Sequence, residues 1–134
     1  MTNRFNFRAY IKSLNKIYRV YNLMENGDKV EVIDDNGDFV GDGDGFYKND
    51  FDLMQSTGFV DKNGKEIFEG NIIKYIYPDG EHIIKQIYYS KDNSQMYYAN
   101  KNKSFYACFY EILPEEVEVI GNIYENKEFD EEED

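Results

Sequence analysis

The sequence has one cysteine, no tryptophan and two prolines among its 134 residues. The single cysteine, Cys108, excludes an intrachain disulfide and a cluster of thiolates around a metal. The chain also lacks a run of about 18 apolar residues, which a membrane-spanning helix requires. Its first residues contain no apolar core of the length found in signal peptides. We therefore expect a cytoplasmic protein that does not bind membranes.

Basic residues are scarce too, since 15 lysines and arginines stand against 27 aspartates and glutamates, for a net charge of −12. Residues 22–54 hold ten acids and two lysines, and residues 125–134 hold seven acids and one lysine. A negative field repels phosphate groups, so nucleic-acid binding is disfavoured, although residues 1–21 carry five basic residues and no acid. Residues 125–134 have too few apolar side chains to order themselves, and we predict an acidic disordered tail there.

What is abundant is aromatic: 13 tyrosines and 10 phenylalanines favour strands and supply a bulky core. The length fits one domain, and we predict a single β-rich domain over 1–124. We expect antiparallel strands rolled into a small barrel or a sandwich, with one or two short helical turns, one of them within 46–54 and capped by Asn49 or Asp50. Runs rich in β-branched and aromatic residues predict strands at 4–10, 17–21, 30–33, 59–60, 67–68, 72–77, 83–89, 96–99, 104–110 and 117–124.

A hairpin signal lies at the centre of the chain. Asn63-Gly64 separates the apolar pairs Phe59-Val60 and Ile67-Phe68, and these turn residues readily adopt the positive φ angles of a tight reversal. In the last predicted strand, Gly121 indicates a β-bulge.

The segment 34–45 is rich in aspartate and glycine, which suggests a calcium loop. The spacing does not fit, because Phe39 stands where the register from Asp34 needs its turn glycine, and Phe46 stands where the register from Asp42 needs an oxygen ligand. We predict no metal site and an acidic loop or hairpin tip with solvated charges. Its carboxylates are candidates for binding a partner protein: Asp34, Asp35, Asp38, Asp42 and Asp44.

Groups suited to catalysis are few. His82 follows a predicted turn, and no motif ties a nucleophile to it. Cys108 lies in an apolar strand pattern, which is typical of an inert buried thiol. The glycines of 41–45 are interleaved with aspartates, which would repel a phosphate. We therefore predict no catalytic residue, no cofactor and no enzymatic activity.

Tyrosines concentrate on neighbouring predicted strands of the later half. A face lined with tyrosine rings offers contact area at low entropic cost, so it suits protein binding. The same rings could instead fill the core or a dimer interface, or stack bases beside nearby lysines. The candidates for partner binding are Tyr88, Tyr97, Tyr98 and Tyr106.

Three stretches together resemble the YopX family of phage and prophage proteins: residues 7–10, residues 54–73 with their Asp-Lys-Asn-Gly-Lys turn, and residues 119–126. The resemblance spans nearly the whole chain. It implies a mainly β fold whose later half is SH3-like, and a gene carried by a phage or prophage. The family has no established activity, so the resemblance implies no catalytic residues. Asn71 differs from the aspartate that family members often have before an Ile-Val pair.

The predicted function is that of a non-enzymatic accessory protein that binds a host or phage protein, with a second copy of the chain as another partner. The negative charge and the tyrosine rings suggest two alternative functions. An acidic DNA mimic would occupy the basic groove of a host nucleic-acid enzyme. A weak single-stranded nucleic-acid binder would use residues 1–21 and the tyrosine strands.

Overall fold

The computed structural model describes residues 6–41, 43–76, 79–90, 95–99, 106–108 and 116–125, with backbone only at 82, 90, 95 and 106–108. This part of the chain contains eleven strands and the short 3-10 turns Glu25–Gly27 and Lys48–Asp50. The strands are β1 (Phe7–Ile11), β2 (Lys16–Met24), β3 (Lys29–Ile33), β4 (Phe46–Tyr47), β5 (Phe51–Val60), β6 (Glu66–Phe68), β7 (Asn71–Ile76), β8 (His82–Ser90), β9 (Gln95–Ala99), β10 (Tyr106–Cys108) and β11 (Val117–Asn122). The mainly β fold with short helical turns is confirmed.

The chain divides into two compact units, the first ending at Gln55 and the second beginning at Ser56. In the first unit the strand order is β4-β3-β2-β1-β5, and every pairing is antiparallel. Alternate residues of β1 and β3 point inward, because successive side chains of a strand face opposite sides. The resulting core consists of Ala9, Ile11, Val30, Val32 and Phe51.

The 3-10 turn Lys48–Asp50 confirms the helical turn expected within 46–54, but neither predicted cap residue begins it. Its N-terminal neighbour is Tyr47, and no side chain caps it. Asp50 instead accepts hydrogen bonds from Ser13, from the backbone N at 2.9 Å and from the hydroxyl at 2.6 Å. The predicted caps were wrong because Asp50 closes the β1–β2 turn across the sequence.

In the second unit, an antiparallel sheet has the order β10-β9-β8-β7-β11. Strand β5 enters this unit with its last residues and pairs with β6, which confirms the hairpin around Asn63-Gly64. The pairing of β11 with β7 shifts register between Val119 and Gly121, as the bulge predicted at Gly121 requires. The core consists of Ile67, Ile73, Ile87, Met96, Tyr98, Val117 and Val119.

Strand order is open at both ends of each sheet, so within the described ranges no sheet closes into a barrel. Of the two predicted architectures, the structure has the one with separate antiparallel sheets. The SH3-like later half and the single domain over 1–124 stay predictions, and 126–134 of the predicted tail lie outside the described residues. A search of the described helices finds none with the length and apolarity to span a bilayer.

Candidate functional site

Residues 34–38, which we call the Asp34 turn, connect β3 to the segment that returns along it. The Asp34 carboxylate accepts the backbone N–H groups of Asn36 and Asp38 through Oδ1, at 2.9 and 3.0 Å. Two backbone bonds complete the turn: Asp34 N–H donates to the Asp38 carbonyl at 2.9 Å, and Gly37 N–H donates to the Asp34 carbonyl at 3.0 Å. Gly37 has φ 86°, a conformation that costs glycine little.

This geometry separates the five candidate aspartates. Asp34 is half-buried and closes the turn, as aspartate does when its side chain bonds its own backbone two residues on. Asp35, Asp38 and Asp44 are exposed, whereas Asp42 lies outside the described residues. The expectation of a hairpin tip with turn residues is confirmed, and Asp34 is the turn residue, since its Oδ1 accepts two backbone N–H groups.

An exposed aromatic pair, Tyr21 and Phe39, accompanies the Asp34 turn. Their ring centroids are 4.9 Å apart with an interplanar angle of 79°, and the side chains are 62% and 54% exposed. Phe39 directly follows the turn and forms an isolated bridge with Ile33. Tyr21 sits where the register of β2 against β3 shifts between Val20 and Asn22. A bulge of this kind re-aims a side chain, and here it leaves a bulky ring in solvent.

Sequence reasoning missed both rings. The bulge at Tyr21 has no local signature, since Ile17–Tyr21 has the composition of an ordinary strand. Phe39 did carry a signal, because it is a large apolar residue between the acidic turn and the glycines of 41–45. The groove beside Phe39 has a volume of about 10 Å³, which is room for one water molecule rather than a substrate.

The structure distributes the candidate tyrosines over two faces of the second unit's sheet. Tyr88 and Tyr97 are direct cross-strand partners on β8 and β9, and both are half-buried. Tyr98 is 5% exposed and packs in the core cluster, so its ring has the core role. Tyr106 pairs with Ala99 through its backbone, and its side chain lies outside the description. Tyr88 and Tyr97 thus share a face of the sheet.

Residues 61–65, the Asp61 turn, form the tip of the β5–β6 hairpin. The Asp61 carboxylate accepts the N–H groups of Asn63 and Lys65 through Oδ1, at 2.8 and 2.9 Å. Asp61 N–H donates to the Lys65 carbonyl at 2.7 Å, and Gly64 N–H donates to the Asp61 carbonyl at 3.0 Å. All four bonds repeat those of the Asp34 turn, and both turns read Asp-x-Asn-Gly.

The Asp61 turn has a further pair of bonds, made to the edge of β11. Oδ2 of Asp61 accepts the Val119 N–H at 2.9 Å, and the Lys62 N–H donates to the Val117 carbonyl at 3.0 Å. Asp61 is 3% exposed. Burial raises the pKa of its carboxyl, but the N–H groups of Val119, Lys65 and Asn63 and the Lys65 charge outweigh it, so the net pKa lies below the ordinary value.

Catalytic and metal chemistry gain no support from the described side chains. His82 begins β8 opposite Ile76, and Cys108 lies in β10 opposite Tyr97, with neither side chain described. In the described part of the chain, no three His, Cys, Asp or Glu side chains cluster as a metal site would need. The predictions of no catalytic residue and no cofactor stay predictions.

Comparison with protein-family models matches residues 6–129 to the family described as YopX protein. Among solved structures, protein EF1440 from Enterococcus faecalis is similar with a TM-score of 0.66 and 27% identity, over 97% of this chain and 100% of that one. Protein yopX from Bacillus subtilis has a TM-score of 0.58 and 17% identity, over 92% of this chain and 96% of that one, a likeness of fold alone. A search of curated proteins finds no match.

Proposed function

This chain belongs to the YopX family, and we propose that it is a phage or prophage accessory protein, working in the host cytoplasm as a non-enzymatic module that binds a host or phage protein. The observation that carries the proposal is the aromatic pair, Tyr21 and Phe39, exposed next to an acidic turn. Aromatic rings that lose water on contact dominate the binding free energy of many protein interfaces.

The charges around the pair indicate what kind of partner it binds. Asp35 and Asp38 are exposed within the Asp34 turn, directly before Phe39, and Glu31 lines the groove beside that ring. Carboxylates at the rim of an apolar contact favour a partner with lysine or arginine in matching positions and disfavour an acidic one. The partner surface we infer is apolar at its centre and basic at its rim.

Tyr88 and Tyr97 offer a second surface on the other unit. Their side chains are half-buried as a cross-strand pair, and the Tyr88 hydroxyl donates to Gln86 Oε1 at 3.1 Å. Since Tyr21 and Phe39 expose more than half of their surface, they are the better candidates for the energetic centre of the interface.

Capture from phage-infected host cells, quantified by mass spectrometry, tests this function with matched baits. The baits are the intact chain, the double variant Tyr21→Ala/Phe39→Ala, and Leu14→Ala, which removes an exposed apolar side chain from the β1–β2 turn. We expect a specific partner on the intact chain and on Leu14→Ala, and its loss from the double variant. Retention by the double variant, with unfolding curves showing all baits folded, contradicts the proposed surface.

A DNA mimic is the second candidate, favoured by the exposure of Asp35, Asp38 and Asp44. It predicts that charge, rather than rings, carries binding, so Asp35→Asn/Asp38→Asn/Asp44→Asn would abolish capture while Tyr21→Ala/Phe39→Ala would not. Its complexes would also dissociate at high salt. The proposed protein-binding module predicts the opposite order of effects, with the aromatic variant the more damaging.

A further inference from the structure

The two Asp-x-Asn-Gly turns share four hydrogen bonds but differ in what lies against them. The Asp61 turn holds the edge of β11, with Oδ2 accepting the Val119 N–H and the Lys62 N–H donating to the Val117 carbonyl. The Val119 N–H and the Val117 carbonyl flank Glu118 on the same side of β11, so the turn bonds this strand as a neighbouring strand would. A turn of this sequence and geometry can therefore hold an extended segment by its backbone.

In the Asp34 turn the equivalent groups are Asp34 Oδ2 and the Asp35 N–H. Among the described residues, neither has a hydrogen-bond partner. Asp35 is exposed and Asp34 is half-buried, so the acceptor and donor pair lies at the surface. The two turns thus differ in that β11 lies against the Asp61 turn, whereas no strand of the described residues bonds to these two groups of the Asp34 turn.

We propose that the Asp34 turn captures an extended segment of the partner protein, bound as β11 is bound at the Asp61 turn. The segment donates a backbone N–H to Asp34 Oδ2 and accepts the Asp35 N–H, while an apolar side chain contacts Phe39. This inference rests on the proposed protein-binding function and adds the form of the partner's epitope.

Charge and neighbouring rings fix the kind of segment. Asp35 and Asp38 are exposed and acidic, so lysine or arginine at alternate positions complements them. Side chains of a strand alternate between two faces, so the intervening positions present apolar side chains to Phe39 and Tyr21. The epitope is an extended segment that alternates apolar and basic residues, which is the pattern of an exposed strand edge.

The test uses the capped peptide acetyl-Lys-Val-Lys-Val-Lys-Val-amide, titrated into the intact 15N-labelled chain and followed by amide chemical shifts. We expect shifts at Asp35, Asp38 and Phe39. Six peptides, each N-methylated at one residue, then remove one backbone donor at a time. If the peptide binds as proposed, methylation weakens binding about tenfold at the one residue whose N–H meets Asp34 Oδ2 and little at the others, because one charge-assisted hydrogen bond is lost.

Two variants separate this inference from the proposed function. Asp34→Asn keeps a side-chain oxygen for the turn but replaces the Oδ2 acceptor by an NH2 group. We expect it to weaken peptide binding about tenfold. Tyr21→Ala/Phe39→Ala removes the apolar contact. Equal effects of all six methylations, or full affinity in Asp34→Asn, overturn strand capture even where the aromatic variant loses the peptide. Absence of any shift at millimolar peptide overturns it too, while capture through Tyr21 and Phe39 is judged separately by the bait experiment.

Discussion

Asp61 accepts the backbone N–H of Val119 at 2.9 Å, across 58 positions of sequence. The bond ties the tip of the central hairpin to the edge of β11. Because the acceptor is an ionised carboxylate and Val119 is buried, the interaction is stronger than a neutral surface hydrogen bond. It also covers backbone groups of an edge strand, which would otherwise be available to pair with another chain.

The same substitution at the two equivalent turns should have different effects on stability. In Asp61→Asn an NH2 group faces the buried Val119 N–H, and we expect the free energy of unfolding to fall by about 3 kcal/mol. In Asp34→Asn no such donor is present among the described residues, and we expect a change within about 0.5 kcal/mol. Urea unfolding of both variants measures this. Equal losses at the two sites would show that Asp61 acts only within its own turn.

Acid should selectively weaken the intact chain through Asp61. Its pKa is lowered in the folded state, so its contribution is complete above the ordinary aspartate pKa of about 4 and is lost as pH falls through the folded pKa. Asp61→Asn lacks this titration. We expect the stability gap between the two chains to be constant from pH 7 to about pH 5 and to narrow below that, down to about pH 2.5. A gap that stays constant or widens on acidification contradicts a depressed pKa.

Asn71 holds the bulge of β11, since it accepts the Phe68 N–H at 2.7 Å and donates to the Gly121 carbonyl at 3.4 Å. Its side chain is buried, so Asn71→Ala leaves the Phe68 N–H and the Gly121 carbonyl without this partner. We expect the free energy of unfolding to fall by about 2 kcal/mol. Asn122→Ala is the control, because Asn122 caps an exposed turn at Tyr124 and Glu125, and it should cost less than about 1 kcal/mol. Equal losses of stability in Asn71→Ala and Asn122→Ala would show that Asn71 does not stabilise the bulge.

Two glycines beside the acidic turn provide a steric comparison. Both have positive φ, but a Cβ at Gly45 would lie 2.7 Å from the Val30 carbonyl oxygen, whereas one at Gly43 meets nothing within 4 Å. Gly45→Ala should therefore be less stable than Gly43→Ala by at least about 1 kcal/mol, because the backbone of β3 has to move. Thermal unfolding of the two variants decides it, and equal melting temperatures would contradict this packing.

Much of the fold follows from local pattern. The alternation of buried residues in β1 and β3, the turn at Asn63-Gly64 and the bulge at Gly121 all carry signals within a few residues of sequence. Strand β5 was missed at its start, because Phe51, Leu53 and Met54 fit neither a strand nor a helix period cleanly. Its residues are set by pairing with β1, which lies far away in sequence.

The candidate site was only partly predictable. The acidic turn could be located from composition. Its internal hydrogen bonds distinguish Asp34 from the neighbouring aspartates, and the distribution of charge along the sequence does not show this difference. The sequence repeats Asp-x-Asn-Gly at both turns, a signal that our sequence predictions did not use. What lies against each turn was not, because the Asp61 to Val119 bond is a product of tertiary folding.

Amide hydrogen exchange of the isolated chain tests most directly whether one turn is filled and the other open. Lys62 and Asp35 occupy equivalent positions, and the Lys62 N–H donates to Val117 whereas the Asp35 N–H has no acceptor among the described residues. After correction for intrinsic rates, we expect strong protection of Lys62 and Val119 and exchange of Asp35 close to that of an unfolded peptide. Protection of Asp35 equal to that of Lys62 would mean that its turn is already occupied and would contradict the account.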